Sequence, residues 1–291
     1  MDWLDRMNIA MNYIEENLAG EISYDEISKR ALCGNGHFQR MFPFITGVTL
    51  SDYIRRRRLT MAAFDLQEVD AKVIDVALKY GYDSPEAFSR AFRGLHGVMP
   101  SALKKDGASV CLKAFPRMTF TISIKGETEM NYRIEKKEAF VMCGFSVEIS
   151  TINGENFVTI PKFWEESMTN GAIDGLRKAL GIYDDVCVHG AMYNFREDAF
   201  TYMICHDAQK NGATKGYEKL FVSEYTWAIF ETEGHGESEI SSQIQSLWKR
   251  IYPEWFPNSG YEHAGGPEFE MYFNQGDGRY ISQVWIPVKK K

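Results

Sequence analysis

The chain has 291 residues, of which 44% are hydrophobic and 25% are charged, and its formal net charge is −7 at pH 7. This length supports two domains, and the longest apolar runs fall short of the about 20 residues that cross a bilayer, so we expect a cytoplasmic protein without a membrane segment. The five cysteines are scattered and form no Cys-x-x-Cys pair, which argues against a disulfide framework or structural zinc.

The spacing of apolar residues predicts the first helices. Residues 4–18 carry apolar side chains at helical intervals and are followed by Gly20, a residue typical of a helix carboxyl terminus. Ser23 precedes two acidic residues and predicts the amino-terminal cap of a second helix. Residues 34–36 then predict a turn before a third helix at 37–42.

A sequence pattern occurs twice, 50 residues apart, within the first hundred residues. Phe38-Gln39-Arg40-Met41-Phe42 and Phe88-Ser89-Arg90-Ala91-Phe92 each follow an apolar helix and a short turn, and each precedes a Gly-Val pair. The phenylalanines of each copy are four residues apart and are expected to face inward. The repeat predicts two helix-turn-helix units, whose second helices enter the major groove of DNA. Residues 50–67 predict a long helix that connects the units.

Polar side chains on the outward sides of these helices are the candidate DNA contacts. Arginine suits phosphates and guanine edges, and Gln, Ser and Glu suit base edges. Residues 1–108 carry a net charge of only −1, so DNA contacts must come from local clusters of base such as the four arginines at 55–58. That run either contacts phosphates or braces the long helix; a solvated helix face is the alternative. The candidate DNA-binding residues are Gln39, Arg40, Arg55, Arg57, Arg58, Glu86, Ser89, Arg90 and Arg93.

A series of motifs runs in order through residues 22–105. They are Phe38-x-Arg40-x-Phe42, Thr46-Gly47, Tyr53-Ile54-Arg55-x-Arg57-Arg58-Leu59, Asp75-Val76-Ala77, Tyr80-Gly81-Tyr82, Phe88-Ser89-Arg90-Ala91-Phe92, and Gly97 with Pro100. This segment resembles the DNA-binding domain of the AraC-type transcription regulators. The resemblance implies binding to double-stranded promoter DNA and activation through recruitment of RNA polymerase.

After Gly107 the helical spacing gives way to the alternation typical of strands. Predicted strands cover residues 119–124, 132–134, 140–145, 186–195, 200–206, 225–230, 268–273 and 280–288. Predicted helices cover residues 157–180, interrupted at Gly171, and residues 239–252. The order strand-helix-strand-strand occurs twice, and it predicts an α+β domain with an antiparallel sheet.

Further motifs lie in this second half. They are Ser223-Glu224-Tyr225-Thr226-Trp227-Ala228-Ile229-Phe230, Gly265-Gly266-Pro267-Glu268-Phe269-Glu270-Met271-Tyr272, and Val284-Trp285-Ile286-Pro287-Val288. Residues 129–291 resemble the gyrase-inhibitor-like effector-binding domain, which a subset of AraC-type regulators carries at the carboxyl end. The resemblance implies a small-molecule effector, frequently aromatic or cationic, bound between the two halves of the sheet.

Alternation along the strand at 268–273 predicts a ligand pocket. Glu270 and Tyr272 share one face, and apolar residues occupy the other. A carboxylate on an apolar strand needs a partner, which a cation held by aromatic rings would supply. Alternatively Glu270 pairs with an internal base or faces water, and the aromatic residues only fill the core; Glu268 is expected at a solvated strand edge. The candidate ligand-binding residues are Trp164, Tyr193, Trp227, Glu270, Tyr272 and Trp285.

Two other classes of function use the same pocket. A hydrolase would use Glu270 as general acid–base, but the histidines are scattered and no phosphate-binding glycine loop is present, so we expect no enzyme and no metal or cofactor. A drug-sequestering protein would not need two well-formed helix-turn-helix units. We therefore interpret residues 1–107 as an all-α tandem helix-turn-helix DNA-binding domain, 108–128 as a linker and 129–291 as an effector-binding α+β domain.

Overall fold

The structure is a computed structural model, which describes residues 3–32, 37–68, 70–104, 110–121, 129–151, 154–182, 186–196, 199–208 and 216–291. The turn predicted at residues 34–36 lies outside these ranges. Within them, no helix combines the length and the apolar character that a membrane crossing requires.

The amino-terminal region is helical, as the sequence predicts. Ser23, Thr49 and Ser84 each begin a helix by accepting a hydrogen bond from the backbone amide three residues later. Gly97 ends a helix in the left-handed conformation, where a side chain would be strained. The helices are α1 (Trp3–Glu16), α2 (Tyr24–Ala31), α3 (His37–Thr46), α4 (Leu50–Asp65), α5 (Val73–Lys79) and α6 (Pro85–His96), followed by a 3₁₀ turn at Pro100–Lys104.

The two helix-turn-helix units contribute to different cores. Phe38 and Phe42 pack with Tyr53 in a core that continues into the carboxyl-terminal domain. Phe88 and Phe92 pack in a separate, smaller core between α4, α5 and α6. All four phenylalanines are fully buried, so the inward orientation predicted for them is confirmed.

The described part of the stretch predicted as a linker, residues 110–121, packs against helices of both units. The backbone amide of Phe115 donates to the Thr60 hydroxyl, and Asn8 exchanges two hydrogen bonds with the backbone of Phe120. Residues 119–121 do not form the strand predicted at 119–124, and the backbone groups of Phe120 pair with the Asn8 side chain of α1. The rest of that predicted strand lies outside the described residues.

The carboxyl-terminal domain is an antiparallel sheet with helices. The strands are β1 (Asn131–Lys137), β2 (Phe140–Ser150), β3 (His189–Tyr193), β4 (Ala199–Asp207), β5 (Glu218–Val222), β6 (Tyr225–Glu231), β7 (His235–Gly236), β8 (Tyr261–His263), β9 (Glu268–Asn274) and β10 (Arg279–Lys290). The helices are α7 (Asn156–Thr169), α8 (Ala172–Leu180) and α9 (Ile240–Arg250), and α9 continues into a π-helical turn at Ile251–Trp255. Strands β5, β7 and β8 were not predicted from the sequence.

The sheet consists of two equivalent halves, which confirms the predicted duplication. Its order is β1-β6-β10-β9-β3-β4-β2-β5, with β7 and β8 paired to β10. In one half β2, β3 and β4 follow the strand-helix-strand-strand order, and in the other half β6, β9 and β10 do so. The halves meet where Gly190 of β3 pairs with Glu270 of β9. Glu270 therefore lies at the centre of the sheet.

The two faces of the sheet have different neighbours. Tyr202 and Tyr272 point to the face covered by helices and pack in one core with Leu176 and Trp248. The opposite face carries a second cluster, which is formed by strand residues around Trp227. Helix α3 contacts α9 and the π-helical turn, so the first helix-turn-helix unit lies on the helical layer.

Candidate functional site: a cage of carboxylates and aromatic rings

Strand β9 presents two carboxylates to the helical layer. Glu268, Glu270 and Tyr272 occupy alternate positions and share the face that α9 covers. Both carboxylates are buried, and Glu268 is 0% exposed. The prediction that Glu268 lies at a solvated strand edge is therefore wrong, because Glu268 pairs with Met192 of β3 in the middle of the sheet.

Three aromatic side chains donate hydrogen bonds to Glu270. Its Oε1 accepts from Nε1 of Trp248 at 2.7 Å, and its Oε2 accepts from the hydroxyls of Tyr202 at 2.9 Å and Tyr272 at 3.2 Å. Tyr202 in turn accepts from Nε1 of Trp164 at 2.8 Å. Burial and the charge of Glu270 raise the pKa of both tyrosines well above the ordinary tyrosine value, so both hydroxyls donate at neutral pH.

A glycine at the seam of the sheet makes room for this network. Gly190 lies directly across the ladder from Glu270. A Cβ atom at this position would lie 2.3 Å from the Tyr202 hydroxyl oxygen and 3.2 Å from Oε2 of Glu270. The absence of a side chain therefore lets the Tyr202 hydroxyl reach the carboxylate.

The second carboxylate is paired with an arginine of the first helix-turn-helix unit. Glu268 forms an ion pair with Arg40 of α3. Its Oε1 also accepts from the Tyr252 hydroxyl at 3.0 Å and lies 3.2 Å from Nε2 of His263. Burial, followed by the charge of Arg40, lowers the pKa of His263 to about 3. The neutral ring accepts from the Gly265 amide at Nδ1, which leaves its proton on Nε2, towards Glu268.

Aromatic rings enclose the guanidinium group of Arg40. Its central carbon lies 4.4 Å from the centroid of a Trp248 ring, and 5.5 and 5.8 Å from those of Phe195 and Phe200. Burial lowers the pKa of this guanidinium, but arginine stays charged in proteins. The charge is therefore compensated by its carboxylate partner and by cation–π contacts. We call the two carboxylates and the aromatic residues around them and around Arg40 the cage: Trp164, Phe195, Phe200, Tyr202, Trp248, Tyr252, Glu268, Glu270 and Tyr272.

Half of the sequence-predicted ligand residues lie in this cage. Trp164, Glu270 and Tyr272 are together there, and the rings of Trp164 and Tyr272 meet edge to face at 5.8 Å. Alternation on β4 and four-residue spacing on α9 are visible in the sequence, but they do not indicate which faces meet Glu270. The residues that sequence reasoning missed at this site are Arg40, Phe195, Phe200, Tyr202, Trp248, Tyr252, His263 and Glu268. Among the described residues, no group of three or more His, Cys, Asp or Glu side chains is arranged to hold a metal ion.

The other predicted ligand residues lie on the opposite face of the sheet. Tyr193, Trp227 and Trp285 belong to the cluster of strand residues there. Trp285 pairs with Phe269 across the ladder, and directly paired residues share a face, so Trp285 points away from Glu270. The prediction that these three rings surround Glu270 is therefore wrong.

The predicted DNA-reading side of α3 is covered by the carboxyl-terminal domain. Gln39, Arg40 and Pro43 are buried, and the Phe44 ring stacks on the Trp248 ring at 5.6 Å. The prediction that Gln39 and Arg40 face outward is wrong for this structure. Helical phase identifies the side that faces away from the unit's own core, and here a second domain packs on that side.

The equivalent side of α6 is accessible. Glu86, Arg90 and Arg93 are exposed, and Ser89 is half-buried. The outward orientation predicted for these residues is confirmed. The two repeated units therefore present the same pattern in opposite environments.

The arginine run of α4 mainly braces the helices. Arg57 donates to both carboxylate oxygens of Glu15, and Arg58 donates to two backbone carbonyl oxygens that follow α1. These contacts agree with the bracing interpretation for both residues and occupy donors that a phosphate would need. Arg55 pairs with Asp52 at 2.5 Å, and its side chain remains 42% exposed.

Family comparisons match both parts of the chain. Residues 133–288 match the family Cass2, described as integron-associated effector binding protein. Residues 27–106 match a helix-turn-helix domain family. The two matched segments correspond to the sheet domain and to the repeated helical units.

Individual relatives match one part each. The HTH-type transcriptional activator AarP of Providencia stuartii is 43% identical over 89 residues, which cover 31% of this chain and 66% of AarP. The regulatory protein SoxS of Escherichia coli K12 is 37% identical over 89 residues, which cover 31% of this chain and 83% of SoxS. The solved structure of SAV2435 bound to tetraphenylphosphonium aligns with 55% of this chain and 94% of its own, at 18% identity and a TM-score of 0.45. The chain belongs to the AraC-type DNA-binding transcription regulators and carries a gyrase-inhibitor-like effector-binding domain of the Cass2 family.

Proposed function

We propose that this regulator activates transcription in response to a lipophilic aromatic cation that binds in the cage. The observation that carries the proposal is that the cage already holds a cation: its buried carboxylates and aromatic rings surround the guanidinium group of Arg40. A buried carboxylate is costly without a positive partner, and aromatic faces attract large cations that shed their water easily. The cage therefore has the chemistry of a receptor for a cation.

We further propose that each reading helix contacts one segment of the operator. The exposed guanidinium groups of α6 suit phosphates and guanine edges, and the polar residues beside them suit base edges. Arg55 is accessible enough to contact a phosphate. The proposed contacts are Arg90, Arg93, Glu86 and Ser89 on α6, Gln39 and Arg40 on α3 when it is uncovered, and Arg55 on α4. Activation would follow from recruitment of RNA polymerase to the promoter.

Titration of intrinsic tryptophan fluorescence tests the cation proposal. Tetraphenylphosphonium supplies a lipophilic cation, and triphenylphosphine oxide supplies similar rings without a net charge. Because Trp164 and Trp248 belong to the cage, we expect a saturable change with the cation and at least tenfold weaker binding of the neutral compound. In vitro transcription from an operator selected out of a random duplex library should rise at cation concentrations that saturate the fluorescence change.

Isosteric variants identify the site. Glu270→Gln removes the charge at the centre of the cage and should weaken cation binding at least tenfold, which corresponds to about 1.4 kcal/mol. Glu148→Gln is the matched control, because Glu148 is exposed, pairs with the exposed Arg196 and does not belong to the cage. Equal affinity for the charged and neutral compounds, or unchanged cation affinity in Glu270→Gln, would contradict the proposal.

A further inference from the structure

We propose that Arg40 is an internal competitor of the effector: it occupies the cage in the effector-free protein and holds α3 off the DNA, and a bound cation expels it and releases α3. This inference rests on the proposed function, since it requires a cation to bind in the same cage. It adds the route by which binding in one domain changes DNA contact in the other.

The position of Arg40 makes competition unavoidable. Its guanidinium group pairs with Glu268 and lies over the Trp248 ring, which are the groups that a cationic ligand would use. Arg40 is 4% exposed, so its charge is almost completely shielded from solvent while it occupies the cage. A ligand cation and the guanidinium cannot occupy the same space, and two positive charges placed side by side there would repel each other.

The rest of α3 is held in place by contacts that DNA binding would have to break. Phe44 stacks on Trp248 and meets Phe157 edge to face at 5.9 Å, so the reading side of α3 lies against α7 and α9. Gln39 is buried as well, and neither its side-chain oxygen nor its nitrogen has a hydrogen-bond partner among the described residues. An unsatisfied buried amide is costly, whereas an adenine edge would satisfy both of its groups.

Because the sequence pattern is repeated, α6 can be compared directly with α3 in the same chain. Arg90 occupies the position in α6 that Arg40 occupies in α3, and it is exposed. The effector-free protein therefore offers DNA one reading helix, and the effector-bound protein offers two. A ligand can shift this equilibrium only by binding the open state more tightly, so DNA that captures the open state must also tighten the binding of the cation.

Matched substitutions in the two repeats test the competition. In the full chain, Arg40→Met removes the competing charge and should tighten tetraphenylphosphonium binding at least tenfold. Arg90→Met makes the same change at the equivalent exposed position and should leave the cation affinity unchanged. If the wild type binds the cation and Arg40→Met binds it equally or more weakly, the competition is overturned while the cation site stands. If neither protein binds the cation, the proposed function fails, and this inference fails with it.

Hydrogen exchange of the unmodified protein is an independent test, because it does not depend on the folding of a variant. Saturation with tetraphenylphosphonium should increase the exchange rate of the amides in residues 38–46 of α3 at least tenfold, because the carboxyl-terminal domain no longer packs on this helix. Amides in residues 85–96 of α6 should exchange as before. Unchanged protection of α3 in a protein shown by fluorescence to be saturated would overturn the inference.

Discussion

Helices α3 and α6 differ in what covers their outward sides, although they carry the same pattern. Both have two phenylalanines facing inward and an arginine at the same position between them. In α3 the arginine lies in the cage of the other domain, and in α6 it faces solvent. A repeated motif thus determines the internal packing of each unit and leaves the use of its outer surface to the rest of the chain.

The difference extends to the cores beneath the two helices. The core of the first unit is continuous with that of the sheet domain, and the core of the second unit is separate. The first unit is therefore positioned to respond to events in the cage. The second is positioned to bind DNA regardless of the effector.

The largest expected effect is on the unfolding of variants that each lose a buried ring from one of these two cores. Phe42→Ala and Phe92→Ala each remove a buried ring and should cost about 3–5 kcal/mol of unfolding free energy. All six tryptophans lie outside the second unit. Denaturant unfolding followed by tryptophan fluorescence should therefore shift for Phe42→Ala and stay unchanged for Phe92→Ala, whose loss appears only in the helical circular dichroism. Equal fluorescence shifts in both variants would mean that the chain unfolds as one cooperative unit.

A smaller effect is expected from glycine substitutions in the two regions. Gly190→Ala places a methyl group against the Tyr202 hydroxyl, and it should cost about 1–3 kcal/mol and weaken tetraphenylphosphonium binding. Gly94→Ala in α6 is the control: nothing lies within 4 Å of its new methyl group, and a helix gains about 0.5–1 kcal/mol from this change. Thermal unfolding and fluorescence titration check both. Unaltered cation binding in Gly190→Ala would show that the contact between Tyr202 and Glu270 is dispensable.

Loss of the equivalent arginines of α6 and α3 should affect operator affinity under different conditions. Arg90→Ala is expected to cost about 1–2 kcal/mol of operator binding with or without cation, because α6 is always accessible. Arg40→Ala should cost a similar amount only in the presence of tetraphenylphosphonium. Fluorescence anisotropy with a selected operator, repeated across a salt series, measures both. Operator affinity equal to wild type at every salt concentration would remove Arg90 from the contacts.

A gradual effect is the pH dependence of stability that originates in the sheet domain. Burial, followed by the neighbouring His206, lowers the pKa of His189 to about 3. As the pH falls below the about 6.5 of an ordinary histidine, the unfolded chain takes up a proton that the folded chain does not. Stability should therefore decline between about pH 6.5 and 3, by up to about 1.4 kcal/mol per pH unit from this residue. The histidine accepts a hydrogen bond from the backbone amide of Tyr272.

Replacing His189 isolates this contribution from other titrating groups. His189→Asn retains an acceptor for the Tyr272 amide but does not titrate. Its unfolding free energy, measured by denaturant titration at several pH values, should decline less steeply below pH 6.5 than that of the wild type. Identical slopes for the two proteins would contradict the assignment.

Much of the fold follows from local patterns in the sequence. The caps at Ser23 and Ser84, the duplicated strand order and the alternation at Glu270 and Tyr272 each depend on neighbours within one element or on its repetition. Strands β5, β7 and β8 were missed, because β7 and β8 are short and because β5 has two charged residues followed by three consecutive apolar ones, Leu220, Phe221 and Val222, with no alternation in the sequence. The described part of the predicted linker packs against helices, which its composition does not indicate.

The amino-acid sequence by itself determined the two repeated units, the duplicated sheet and the residues that share a face within each element. Only the tertiary structure decided that Trp227 and Trp285 lie away from Glu270, that Glu268 is buried, and that Arg40 fills the cage. The reason is physical. Periodicity is a property of one helix or strand, whereas burial of a face depends on which second element packs against it, and that partner is distant in the chain.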